Sequence, residues 1–200
     1  MAFGVVMSLA SQLAAGILAT QDPGVSVQPS QAAEYAQAAI AAADAYRVDP
    51  WELIGMARLE SRFRVDEIGP DGKDCGIVQT RVTGSRYTCR RLRSNVELAF
   101  MEGARELAGY NASCRGRADF DRCRFNRYNS GVHYARQGFH GHYWLRAMCF
   151  AQAARTGEPG GGCNEVQSRR AIARAIQRPP RGAGHARVLA IAQAHARAMR

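Results

Sequence analysis

Between Asp49 and Arg62 the sequence specifies a helix from start to finish, and one of its residues is out of place for an ordinary core helix. Asp49 is placed to cap it, Pro50 takes the first helical position and Glu52 the third, which satisfies free N-terminal amides and presets φ. Leu53, Met56, Ala57 and Glu60 then fall at i, i+3, i+4 and i+7, the stripe that a helix turns toward the core. Glu60 therefore shares a face with apolar side chains. A carboxylate removed from water is costly unless it is paired or protonated, so the fold must supply a cation or raise the pKa of Glu60. Arg58, Arg62 and Arg64 all stand close enough in sequence to be that cation, and pairing with one of them is the ordinary alternative.

The rest of the chain reads as helices around one irregular stretch. Gln31 to Tyr46 is alanine-rich and helical, with Ser30 placed to cap it. From Arg64 to Cys89 the helical period disappears, and glycines 69, 72, 76 and 84 with Pro70 predict turns and a short irregular hairpin. Ser94-Asn95-Val96-Glu97 is a capping box that opens a helix ending near Gly109. Asn111 to Asp121 reads as a loop. Helical pattern resumes around Tyr128 and again from His142 to Arg155, and the glycine run 157–162 breaks it. Two arginine-rich helices, split at Pro179-Pro180-Arg181-Gly182, close the chain. The expected class is α+β, predominantly helical, with one small irregular or β lobe. The expected divisions are an apolar segment and linker over 1–30, one domain over 31–160, and a basic tail over 161–200.

The charge balance favours anionic partners. Of 27 basic residues against 17 acidic ones, Lys73 is the only lysine, and the net charge is +10. Eight arginines and one acid, Glu165, lie between Asn164 and Arg200, so that segment suits docking to an anionic wall polymer or membrane surface, or is a pair of solvated helices. Nucleic acid shares the charge argument, but no recognised binding motif accompanies it, so no specific nucleic-acid partner is expected. Six cysteines at wide spacing, with no C-x-x-C pair, argue against a zinc cluster and suit disulfides in an oxidising compartment. Neighbour pairing is the simplest of the fifteen connectivities that six cysteines allow. Met1 to Thr20 is apolar like the core of a secretory signal, although the first basic residue is Arg47; a plain N-terminal helix is the alternative.

Three short motifs then fall in order. Glu60-Ser61-Arg62-Phe63 closes the helix, Gly76-Ile77-Val78-Gln79 begins sixteen residues after the glutamate, and Tyr128-Asn129-Ser130-Gly131 follows much later. Together they resemble the E-S-x-F, G-L-M-Q and Y-N-x-G motifs of soluble lytic transglycosylases, over roughly Asp44 to Tyr143, about half the chain. The resemblance implies a lysozyme-like fold with a groove between a helical lobe and a small irregular or β lobe. It implies a substrate, the β-1,4 bond between N-acetylmuramic acid and N-acetylglucosamine in peptidoglycan strands, cut with a 1,6-anhydro product and no cofactor or metal. Glu60 would be the acid and base, Ser61 would bond within the groove, Gln79 would bind the sugar or its N-acetyl group, Tyr128 would point at the reacting centre, and Asn129 would brace loop or substrate.

The pattern departs from the family in the stretch Asp71 to Gln79, which instead looks like the D-G-x-D-x-G-x-x-Q of specialised transglycosylases in secretion machines. Animal lysozymes share a similar pattern, with the aspartate as second catalytic carboxylate. Asp74 is therefore a candidate partner for Glu60, against the commoner fate of a turn-capping aspartate. Val78 stands for the usual methionine, and Phe125-Asn126-Arg127 precedes Tyr128 in place of small apolar residues. His133, His140 and His142 lack H-E-x-x-H spacing and give no metal signature, while His140 to Trp144 is set to line one end of the groove or to pack. The competing expectations are a muramidase that hydrolyses the same bond with help from Asp74, and a non-catalytic wall-binding or structural component of a phage or secretion assembly. An enzyme of this type works in the periplasm or outside the cell, or is delivered there by a phage particle.

Overall fold

Helix α3, Pro50–Ser61, forms as its ends dictate: Asp49 Oδ1 accepts the Trp51 amide at 2.9 Å, and the helix closes on Arg62 in the left-handed region. Glu52 at the third position does not turn back to the cap. Its carboxylate grips Arg124 at 2.5 and 2.6 Å, tying α3 to a helix 72 residues away. The computed structural model describes residues 7–22, 24–130 and 142–165, so the two C-terminal helices expected after Glu165 lie outside the described residues. The described chain is mostly helical with one two-stranded sheet, as the α+β expectation required.

Helices α1 (Leu9–Thr20), α2 (Pro29–Tyr46), α5 (Val96–Cys114), α6 (Phe120–Ser130) and α7 (Tyr143–Thr156) pack with α3 around one core, in which Leu53, Met56, Phe100 and Phe125 are fully buried. Helix α1 is an integral wall of that core: Leu13 and Ile17 are fully buried, and α1 packs on α2 and α7. The stretch that follows α1 is anchored as well. Arg58 of α3 is buried and donates to Thr20 O and Asp22 Oδ1, both at 2.5 Å. Among the described residues no helix is long and apolar enough to cross a membrane.

Four local expectations shift. Helix α2 begins two residues early, with Gln28 and Gln31 exchanging cap bonds and Pro29 at the first position, so Ser30 is not the cap. Asn95, not Ser94, caps α5 through the Leu98 amide at 2.9 Å. α5 runs past Gly109 to Cys114, since Tyr110 donates back to Glu106 one turn earlier and buried Cys114 joins Cys123. α6 starts at Phe120, eight residues before the period becomes legible, because Cys123, Arg124 and Phe125 find distant partners.

The irregular stretch folds as the short hairpin expected of it. Strands β1 (Asp74–Cys75) and β2 (Thr80–Arg81) pair antiparallel, Asp74 opposite Arg81, and Ile68 bridges Cys75 from the other side. The short helix α4, Cys89–Ser94, was not foreseen; Thr88 caps it and buried Leu92 holds it against Gly76. The three disulfides join sequence neighbours, 75–89, 114–123 and 149–163, closing loops of 14, 9 and 14 residues. A loop of about 15 residues is worth about 3 kcal/mol by restricting the unfolded chain. Reduction is therefore expected to lower the melting temperature by at least about 10 °C in calorimetry. Coincident melting curves with and without reductant would show that the bonds do nothing for the fold.

Candidate active site

Helices α3 and α7 run antiparallel at backbone contact, and that contact builds the site. At Gly55 a β-carbon would lie 2.4 Å from Ala147 O, so only glycine lets the two helices approach this closely. One end of the pair is fastened by Arg155 on Asp49 at 2.6 Å. The other end brings Tyr143, first residue of α7, onto Glu60, the penultimate residue of α3, and the tyrosine hydroxyl donates to Glu60 Oε1.

None of the three neighbouring arginines neutralises Glu60. Arg58 and Arg62 go to Asp22, at 2.5 and 3.4 Å, and Arg64 goes to Glu67 at 2.5 Å. The ion pairs among the described residues leave Glu60 out, and the side chain is only partly exposed. Burial pushes its carboxyl up to about 7; the Tyr143 hydrogen bond and Arg146 pull it down, while Asp74 and Glu106 push it further up. A carboxyl with that pKa is protonated on a large fraction of molecules at neutral pH, the condition for donating a proton.

The second motif hangs between the first and the third. Ser61 is buried and donates through Oγ to Ile77 O at 2.7 Å; Tyr128 donates through its hydroxyl to Val78 O at 2.7 Å. Segments 16 and 50 residues apart are thus bonded into one wall beside Glu60. Gly103 of α5 is required for this: a β-carbon there would meet Val78 Cγ2 at 2.7 Å and the Tyr128 hydroxyl at 3.2 Å. Burial, then the charges of Glu106 and Glu60, raise the Tyr128 hydroxyl well above its ordinary pKa, so it stays protonated and able to donate.

Gln79 sits in the left-handed region, with φ 49°. Its amide nitrogen donates to Gly76 O at 2.8 Å and Glu67 O at 3.2 Å, which makes it a brace of the hairpin loop. Asn129 is exposed and its amide donates to Ser130 Oγ at 3.2 Å; Gly131, His133 and His140 lie outside the described residues. Asp74 is held by Arg81, which donates to both carboxylate oxygens at 3.1 and 3.0 Å while also binding Asp71 at 2.7 Å. That engagement is a cross-strand pair of the hairpin, because β1 and β2 place Asp74 opposite Arg81.

Two neighbours of Glu60 were hidden from sequence reasoning. Arg146 lies one turn along α7 from Tyr143. Glu106 lies on α5 at i+4 from Glu102 and i−4 from Tyr110, a one-stripe spacing that marks a shared face but not what the face meets. Among the described residues no group of three His, Cys, Asp or Glu side chains is arranged to hold a metal ion. No protein-family model, no curated protein and no solved structure matches the chain.

Proposed function

We propose that this protein cleaves peptidoglycan glycan strands as a lytic transglycosylase, on a lysozyme-like arrangement of a helical lobe and a small hairpin lobe. One observation carries the reading. The second of three motifs far apart in sequence is hydrogen-bonded to both the others beside Glu60, a carboxyl poised near pH 7 from which Arg58, Arg62 and Arg64 are drawn away to other acids. Glu60 gives its proton to the bridging oxygen as the bond to C1 of N-acetylmuramic acid breaks. The resulting carboxylate takes the proton of the muramic acid 6-hydroxyl, whose oxygen attacks C1 and closes the 1,6-anhydro ring, so no water is consumed. Tyr143 fixes the direction of the Glu60 carboxyl, and Tyr128 and Ser61 hold the loop that forms the opposite wall. The disulfides suit work in the periplasm or outside the cell, where the wall is.

The hydrolytic alternative needs a second free carboxylate about 5 Å from the acid. Asp74 is poorly suited to that duty, because Arg81 already occupies both its oxygens. Digestion of purified wall followed by mass spectrometry of the muropeptides is expected to give anhydro-terminated products. Asp74→Asn is expected to lower the rate less than about tenfold, well short of the loss that removing a general acid brings. Reducing-end products, with Asp74→Asn as damaging as loss of Glu60, would make the protein a muramidase. An intact wall after digestion would make it a wall-binding or structural component of an assembly.

A further inference from the structure

One turn of α5 meets the hairpin lobe twice. At Gly103 the backbone of the helix lies against Val78 and the Tyr128 hydroxyl. The residue before it, Glu102, is fully buried and takes hold of the segment that returns from β2 to α4. Arg86 of that segment donates through Nε to Glu102 Oε1 at 2.9 Å and through its amide to Oε2 at 3.4 Å. The same guanidinium reaches α2, where Nη2 donates to the Tyr46 hydroxyl at 3.0 Å. Arg105, three residues along α5, donates to Glu102 Oε2 at 3.1 and 2.9 Å and to Gly84 O at 2.9 Å. The lobe is also braced within itself. Cys75 of β1 is joined to Cys89 of α4, the Val82 amide donates to Lys73 O at 2.8 Å, and the Gly76 amide donates to Glu67 O at 3.0 Å. A lobe braced in this way moves as a unit, so whatever fixes residues 84–86 also fixes Val78.

A buried ion pair is a poor way to gain stability, since apolar side chains of similar volume serve as well or better. What it supplies is direction, because a carboxylate accepts from the planar fork of an arginine in only a few geometries. Burial works against the charge of Glu102, but the hydrogen bonds from Arg105 and Arg86 outweigh it and hold the carboxyl below its ordinary range. We propose that Glu102 is a positioning residue of this site, which seats the hairpin lobe on α5 through Arg86 and Arg105 so that the Val78 carbonyl stays under the Tyr128 hydroxyl. That hydroxyl donates to Val78 O at 2.7 Å, and the bond closes the wall beside Glu60. The effect of Glu102 on rate rests on the lytic reading. The seating of the lobe does not.

The test reads two tyrosine hydroxyls by their exchange with solvent, followed in the carbon-13 signals of the ring carbons that bear them. Tyr128 and Tyr143 are assigned by the loss of each signal on substitution with phenylalanine. Glu102→Gln keeps the size of the side chain and removes its charge. It is expected to speed exchange of the Tyr128 hydroxyl about tenfold, the size of one weakened hydrogen bond. The Tyr143 hydroxyl should keep the parent rate, because the contact of α3 with α7 that places it on Glu60 does not involve the lobe. A purely structural role would loosen both hydroxyls together through a general loss of stability. Arg86→Gln repeats the test should Glu102→Gln fail to fold: the Arg86 side chain is 58% exposed, and Arg105 remains to answer Glu102. In wall clearing, kcat/KM of either variant is expected to fall about tenfold, since misplacing a catalytic wall by about 1 Å costs up to about a hundredfold. Combined with Tyr128→Phe, the loss should be smaller than the product of the two single losses, because both changes act on one contact. An unmoved Tyr128 hydroxyl, equal acceleration of both hydroxyls, or losses that multiply would each overturn the proposal. Selective acceleration at Tyr128 in a protein with no lytic activity leaves the seating intact and refutes only the enzymatic reading.

Discussion

Replacing Glu60 with glutamine is expected to abolish wall clearing and, at pH 8, to make the protein more stable. The loss follows from the chemistry: a positioned general acid and base contributes about a hundred- to ten-thousand-fold, and glutamine can do neither job. The gain follows from linkage. Glu60 titrates near 7 in the folded protein, against an ordinary 4.5, so between those values the folded state holds more protons than the unfolded chain. Stability therefore falls as pH rises through that window and levels off above it. The gap is 2.5 units, from 4.5 to 7, equivalent to at most about 3 kcal/mol, and less in so far as the carboxyl meets solvent. Glutamine carries no such penalty and can still accept the Tyr143 hydroxyl. Denaturant unfolding should show the variant more stable than the parent at pH 8 and equal to it at pH 4. A folded variant that clears wall at the parent rate removes Glu60 from the mechanism. An equal stability difference at both pH values removes the raised pKa.

Deleting residues 1–20 is expected to leave a chain that does not fold cooperatively. Leu13 and Ile17 are fully buried, and losing a buried Leu or Ile side chain costs about 2–5 kcal/mol. Two such losses approach the whole stability of a typical domain, about 5–15 kcal/mol. The deletion also removes Thr20 O, which accepts from buried Arg58, and so leaves a charged donor short of a partner inside the protein. Circular dichroism during heating is the check. A trimmed chain that melts within a few degrees of the full one would show that α1 is an appendage, as its leader-like composition suggests from sequence alone.

That contrast separates two kinds of information. What the sequence by itself determined acts over a few residues: the Asp49-Pro50 start of α3, the stripe that carries Glu60 toward the core, and the loss of period that becomes the hairpin. Caps and helical spacing are short-range physics, and the starts of α2, α3 and α5 read correctly to within two residues. The start of α6 did not, since Arg124 is ordered by Glu52, 72 residues away. Tertiary structure alone decided who pairs with whom. Among 26 arginines any could have neutralised Glu60, and the three nearest in sequence were claimed by Asp22 and Glu67. Asp74 went to Arg81 because the hairpin set them opposite, whereas Glu60 received a tyrosine 83 residues on because Gly55 lets α3 and α7 touch. A charge takes the partner that the packed backbone brings within reach, and sequence distance says little about which that is.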